Sequence, residues 1–532
     1  MNTRIHKTNM PTSCGSHCYS RRTFLTGCAK CLGAGAFSGL VVPSLLTAEG
    51  CTSVPNMKIR VFFVLMGETM PIAGWPNIGY DYRPGMEEIT NALNRGCSGI
   101  DFVYTMVELP EKVKEIVDTD AGNIDGYIVV QMMCRGNRAL NPVVESGKPV
   151  LFTDFLYCGS APFLTLTATH LRTESPNFAF ISPSRTKDLV EAARCFKLTG
   201  KEGNLQAFVD GVTKVRHQLA PSNIDLSCIA DKIDLLSTKE LLEALKGKKL
   251  IEIEGKTGAA GVVELKQSLG IEIVGMSYAE LNHQWEIADR DRAMDVVRHW
   301  KSGAADIIDV TDETLEKSAR MYLAEKACLQ KHGAEAITIG CLPGFYRGDI
   351  PAYPCLGFHE LLNEGFVGAC ENDTRSTITM LAMTTLTKGR PGFISDPVID
   401  SSTKQIIYAH CVAASKQFGP AGQANPFTIM THSEDRQGAS VRSTMPLGYM
   451  TTTLEMSTGR KEILFHQAKA VANSTDDRAC RTKLGAVPIG DMDKLHTKWD
   501  QWGWHRVTFY GDLKEPVYAL ADALGWKVIE EA

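Results

Sequence analysis

Glu371, Asp396 and His410 are the residues in which chemistry is most readily read. Each follows a short apolar run, at 366–370, 393–394 and 406–409, within two positions. In an α/β sheet the functional groups collect beyond the carboxyl ends of the strands, so three strands ending this way bring two carboxylates and an imidazole together. Carboxylate oxygen and imidazole nitrogen suit a divalent ion such as Mn²⁺, and no thiolate cluster is present to select zinc. Paired carboxylates can also move protons. The spacing therefore predicts a metal site with acid/base capacity.

The elements that must position these groups alternate in type. From residue 57, strand-like runs at 59–66, 100–104, 127–131 and 150–152 alternate with helical spacing such as 86–93. Runs buried on both faces and separated by helices indicate a parallel sheet in a doubly wound domain. A second series follows at 178–181, 250–253, 271–274 and 336–341, with amphipathic helices predicted over 284–300 and 313–331. No GxGxxG follows the first strand. Gly255-Lys256-Thr257 is no phosphate loop, because Leu250 stands where such a loop needs glycine. After about residue 388 the chain turns rich in Thr, Ser, Gly and β-branched residues, with runs at 449–456 and 462–466. A strand-like run at 504–512, containing His505, and an amphipathic helix at 514–524 close the sequence. The expected fold is α/β: two doubly wound parallel-sheet domains, at 57–176 and 177–387, then a mainly antiparallel β domain at 388–532. Glu371 falls in the second domain, and Asp396 and His505 in the third.

A chain of 532 residues is too long for one hydrophobic core. Its 44% hydrophobic and 22% charged residues are those of an ordinary globular protein, and a net charge of -5 offers nucleic acid no attraction. The 16 cysteines form no dense disulfide framework. Four of them, Cys14, Cys18, Cys28 and Cys31, lie in residues 1–48. There Ser20-Arg21-Arg22-Thr23-Phe24-Leu25 precedes an apolar stretch at 27–46, and Thr47-Ala48 offers small residues for cleavage. This reads as a twin-arginine export signal, which places the protein in the periplasm or cell envelope. Lys30, Pro43 and several glycines interrupt the stretch, so no stable membrane insertion of the mature chain is expected. The Cys28/Cys31 pair reads as small apolar filler.

Glu371-Asn372-Asp373, a helical segment to 386, and Asp396 after the next run resemble the L-fucose isomerase and L-arabinose isomerase families. Residues 354–373, PCLGFHELLNEGFVGACEND, resemble the arabinose isomerase stretch in which a helix ending Glu-Gly precedes the ligand strand. His410 falls where that family has a third ligand, and His505 followed by Gly511-Asp512 resembles the C-terminal histidine segment of fucose isomerases. The likeness covers 336–532; before that only the order of elements agrees. It implies a fucose isomerase-like fold and a divalent metal, usually manganese, held by Glu371, Asp396 and His505, with His410 a fourth candidate. It also implies that Glu371 and Asp396 move a proton between C1 and C2 of an aldose through an enediol. Asp373 is expected behind the ligands or near the sugar, and His359, Asp349 and Arg347, on the approach to the site, are candidate substrate contacts. The family's assembly implies a homo-oligomer, a hexamer or trimer. The resulting expectation is an aldose-ketose isomerase acting on a free 6-deoxyhexose or pentose. An exported sugar-binding protein without turnover, or an epimerase or lyase on the same scaffold, is the alternative. Each residue has a structural alternative too: Asp396 ending a strand, His410 donating to a core carbonyl, His505 packed among Trp502 and Trp504.

Overall fold

The computed structural model describes residues 56–65, 75–135, 137–200, 202–219 and 224–532. The export segment expected at 1–48, with its four cysteines, lies outside them.

Five strands, β1 (Met57–Val64), β2 (Ile100–Val107), β3 (Gly126–Gln131), β4 (Val150–Asp154) and β5 (Phe178–Ile181), form a parallel sheet in the order β2-β1-β3-β4-β5. Its central runs are apolar throughout because helices cover both faces, burying Phe62 and Val64 on one and Val61 and Phe63 on the other. The first domain therefore does not end at 176. Phe178 pairs with Val150, so the run at 178–181 is the fifth strand of this sheet rather than the first of the next. The helix Leu205–Gln218 also returns to it, with Arg216 donating to the Phe180 carbonyl at 3.1 Å.

The second sheet is built from β6 (Lys249–Ile253), β7 (Glu272–Met276), β9 (Ala336–Ile339) and β10 (Val367–Ala369), parallel and in the order β10-β9-β6-β7. Between them, β8 (Asp306–Ile308) leaves this sheet to pair with a later strand. The single helix expected over 284–300 is two, Tyr278–Glu286 and Arg290–Gly303. Asp289 breaks it by accepting the amides of Asp291 (2.9 Å) and Arg292 (3.0 Å). Apolar spacing runs on through that cap, so periodicity alone could not see it. The helix expected at 313–331 spans Asp312–His332.

The remaining strands are β11 (Phe393–Asp400), β12 (Gln405–His410), β13 (Phe427–Met430), β14 (Ser440–Ser443), β15 (Met450–Ser457), β16 (Glu462–Asn473), β17 (Thr482–Pro488), β18 (Arg506–Tyr510) and β19 (Lys527–Glu530). Six of them run β15-β18-β11-β12-β17-β16, and β15 pairs again with β16, so the antiparallel sheet closes on itself as a barrel. Strand β19 adds parallel to β16, while β14, β13 and β8 form a small sheet of their own. Tyr408 of β12 bonds His466 of β16 (2.7 Å) and Thr453 of β15 (3.0 Å). None of these strands neighbours β12, so the bonds cross the barrel interior. Asp396 does not close its strand: β11 continues through Pro397 to Asp400, with Asp396 opposite Ala409. The polar Ser395-Asp396-Pro397 interrupts the apolar run without ending the strand. Among the described residues, no helix is long and apolar enough to cross a membrane.

Candidate metal centre

Strand β10 ends at Ala369, and the chain turns at once. Glu371 and Asn372 both take left-handed backbone angles, φ 65° and 52°, which cost non-glycine residues about 1–3 kcal/mol each. Asn372 holds the turn in place. Its side-chain amide donates to the carbonyls of Ile253 (2.8 Å) and Glu254 (2.9 Å) at the end of β6, and its backbone amide donates to Ile339 (3.1 Å) at the end of β9. Gly340 leaves room for this, since a Cβ there would stand 2.8 Å from Asn372 Nδ2 and 2.9 Å from the Tyr278 hydroxyl. Asp373 then caps the helix Thr374–Leu386, accepting from Ser376 N at 3.1 Å.

Opposite this turn, β11 lies between β12 and β18. Asp396 is thereby flanked by His410, the last residue of β12, and His505, the residue before β18. One ligand-type atom from each of Glu371, Asp396, His410 and His505 lies within 4.8 Å of the others. His505 Nε2 stands 3.2 Å from Asp396 Oδ1 and 3.7 Å from Glu371 Oε2, and His410 Nε2 is 3.9 Å from an oxygen of each. Ligands at adjacent positions around an octahedral ion, with bonds of about 2.1 Å, stand about 3 Å apart. Both Nε2 atoms are buried without a hydrogen-bond partner. Two hard oxygens and imidazole nitrogen are a donor set that fits a divalent ion such as Mn²⁺.

Hydrogen bonds sort the two histidines. His505 Nδ1 lies 2.8 Å from Asp373 Oδ2 and donates to it, so Nε2 faces the carboxylates and offers its lone pair there once it gives up its own proton. At His410 the Cys411 amide donates to Nδ1 at 3.0 Å, so in the neutral ring Nε2 carries the proton. His505 is thus prepared as a ligand, and His410 as a hydrogen-bond donor aimed into the site.

The two carboxylates differ in their proton affinity. Burial lifts Glu371 well above the usual carboxylate range, and the charges of Asp396 and Glu434 add to it against the pull of His505. Burial acts on Asp396 in the same direction, yet the charges of His505 and His410 hold it below its ordinary value. For His505 burial disfavours the charged ring, but Asp396 and Asp373 raise its pKa well above normal.

Asp373 touches His505 and Ser376, behind the ligands. Arg347 and Asp349 pair with each other at 2.8 Å, and the Asp349 carbonyl takes the Asn282 amide. His359 is not a substrate contact: it is fully buried in the helix Cys355–Asn363, with Nδ1 on the Ala413 carbonyl (2.6 Å) and Nε2 on Asn363 (3.1 Å). Sequence reasoning missed Glu434, whose carboxylate accepts from the Tyr346 hydroxyl at 2.9 Å and whose charge acts on Glu371. The run His432-Ser433-Glu434-Asp435 was its only local signal.

No protein-family model matches the chain. Curated relatives are sulfoquinovose isomerases. That of Priestia aryabhattai is 28% identical over 175 residues, covering 32% of this chain and 37% of that protein. That of Clostridium sp. (strain MSTE9) is 24% identical over 272 residues, covering 49% and 58%. The matched part thus spans between about a third and three-fifths of these relatives' length. Among solved structures, a carbohydrate transporter from Acidothermus cellulolyticus in complex with myo-inositol is 10% identical over 56% of this chain and 79% of its own, with a TM-score of 0.17, too low to carry an argument. The chain is similar to sugar isomerases.

Proposed function

We propose that the protein is a metal-dependent aldose-ketose isomerase of the fucose and arabinose isomerase type. The observation that carries this reading is the convergence of Glu371, Asp396 and His505, from three strands of two sheets, on one point. A divalent ion held there would stabilise negative charge developing on the sugar's oxygens. Of the two carboxyls, burial raises the proton affinity of Glu371 while the neighbouring histidine charges lower that of Asp396, a divided pair of the kind acid/base transfer uses. Asp373 fixes the ring of His505, and His410 Nε2 offers a donor to a substrate oxygen. The similarity to sulfoquinovose isomerases supports a free sugar as substrate. A 6-deoxyhexose or a pentose is the proposed class, and sulfoquinovose itself is the first compound to test.

The test is turnover of manganese-loaded protein with aldoses in heavy water. Proton transfer through an enediol places solvent deuterium in the ketose. Binding without ketose formation from any aldose would instead favour a sugar-binding protein.

The reading extends to assembly and location. We propose a homo-oligomer, a trimer or hexamer, which an active monomer in light scattering would overturn. We also propose export by the twin-arginine route, which secretion unchanged by lysine at both Arg21 and Arg22 would overturn.

A further inference from the structure

A second cavity, of about 610 Å³, opens where the carboxyl ends of β4 and β5 meet the face of β11 and β12. Its volume lies within the roughly 300–1,000 Å³ of small-molecule sites, and the carboxyl edge of a parallel sheet is where such sites form. Its wall includes Ile407. Two residues further along β12 is Ala409, opposite Asp396, so the cavity and the metal centre lie about 7 Å apart along one strand. Trp75 packs against two apolar clusters, one that includes Ile407 and one formed by Ala409, Cys411 and Cys480.

The lining selects its ligand. Arg478 is a cation in the wall, and Asp476 neutralises it through contacts at 2.9 and 2.6 Å. Asp400 is occupied by the amides of Ser184 and Ser402, each at 2.9 Å, and by the Thr403 hydroxyl at 2.6 Å. An anion would therefore meet carboxylates with no free positive charge to hold it. What is left open is different in kind. Thr153, a residue of the wall only 1% exposed, buries its Oγ1 without a hydrogen-bond partner. Beside it, the Asp154 carboxyl accepts from the Ser160 amide (3.2 Å) and the Ser182 hydroxyl (3.5 Å), and burial lifts its pKa to about 8, so at neutral pH it also holds a proton to donate. Tyr80 and Tyr157 add aromatic side chains to the wall. Hydroxyls that donate and accept, set on a carbon chain with apolar C–H faces, match this wall.

We propose that this cavity is a second binding site, distinct from the metal centre, for an uncharged polyhydroxylated ligand such as an alditol or a neutral sugar. The site requires no metal, so it can be tested whether or not the protein turns over an aldose. Calorimetry on chelator-treated protein with glucitol and xylitol should show saturable binding of one molecule per chain, and glucose 6-sulfate should bind at least tenfold more weakly. Thr153→Val removes a buried hydroxyl that has no partner, so folding should be unharmed while alditol affinity falls about fivefold, the worth of one hydrogen bond. Failure of both alditols to bind, equal affinity in Thr153→Val, or preference for the sulfate would each overturn the proposal.

Discussion

The Ser376 hydroxyl lies 2.7 Å from Glu455 Oε1 and 2.7 Å from Asp373 Oδ2. A hydroxyl has one proton to give, so one of these two carboxyls must bring its own. Glu455 is that group, since burial, with the Asp373 charge adding, lifts its pKa to about 7. While Glu455 holds its proton the bonds run in one direction: Glu455 donates to Ser376, Ser376 donates to Asp373, and Asp373 also accepts from His505 Nδ1. The ligand nitrogen of His505 is oriented from the far side of a helix.

Ser376→Ala breaks this run at its centre. Partners behind a metal ligand are worth about 10- to 100-fold in metal affinity or activity, and a loss of that size is expected in a manganese titration. Wild-type affinity would show that Asp373 needs only its helix-capping bond and His505.

Glu455 also fixes a pH dependence of stability. Its pKa in the folded chain, about 7, exceeds the ordinary 4.5, so between these values the folded state binds more protons than the unfolded one. Stability should therefore fall as pH rises through this window and level off above it. Urea midpoints at about pH 5 and pH 8 should differ in wild type, and the difference should shrink in Glu455→Gln. A gap of the same size in the variant would assign the effect to other groups.

In the proposed isomerase, Glu371→Gln and Asp396→Asn would each remove a ligand and a proton carrier together. Turnover should fall by more than the about 10²- to 10⁴-fold attached to proton transfer alone, with bound manganese measured in the same samples. Activity surviving both changes would overturn the acid/base assignment.

Glu371, Asp396 and His410 were legible as a group because each adjoins a short apolar run of strand type, while His505 joined them through the resemblance to the C-terminal histidine segment of fucose isomerases. The supports were not legible. Ser376 and Glu455 lie 79 positions apart, one on a helix whose face reads as plain Thr and Ser, the other on a strand with three consecutive threonines. Glu434 sits in a loop between strands, where no periodicity points anywhere. The misassignment of 178–181 has the same origin: a strand's existence is written locally, but the sheet it joins is decided by a crossover. His359 looked like a site residue by position, while its helix turns it into the core.

Asn372 offers a separate test of how the turn is held. Asn372→Gly keeps the left-handed backbone but removes both side-chain bonds, leaving the Glu254 carbonyl without that donor and the Ile253 carbonyl with the Gly340 amide (3.2 Å). A loss of about 2 kcal/mol in stability is expected from two bonds, with a larger fall in metal affinity than in Ser376→Ala. A variant as stable and as tight as wild type would show that the helix cap alone holds Glu371.

The proposed ligands Glu371, Asp396 and His505 come from two sheets, β10 of one and β11 and β18 of the other. An ion bound among them is in effect a cross-link between residues more than a hundred positions apart, closing a loop that no disulfide in the described chain closes. It binds only after both sheets have docked, so its affinity adds directly to the cohesion between them. Hydrogen exchange at the helix Thr374–Leu386 and at β18 should accordingly slow together on metal loading, and a folded but metal-free chain would be the state most easily parted along that seam.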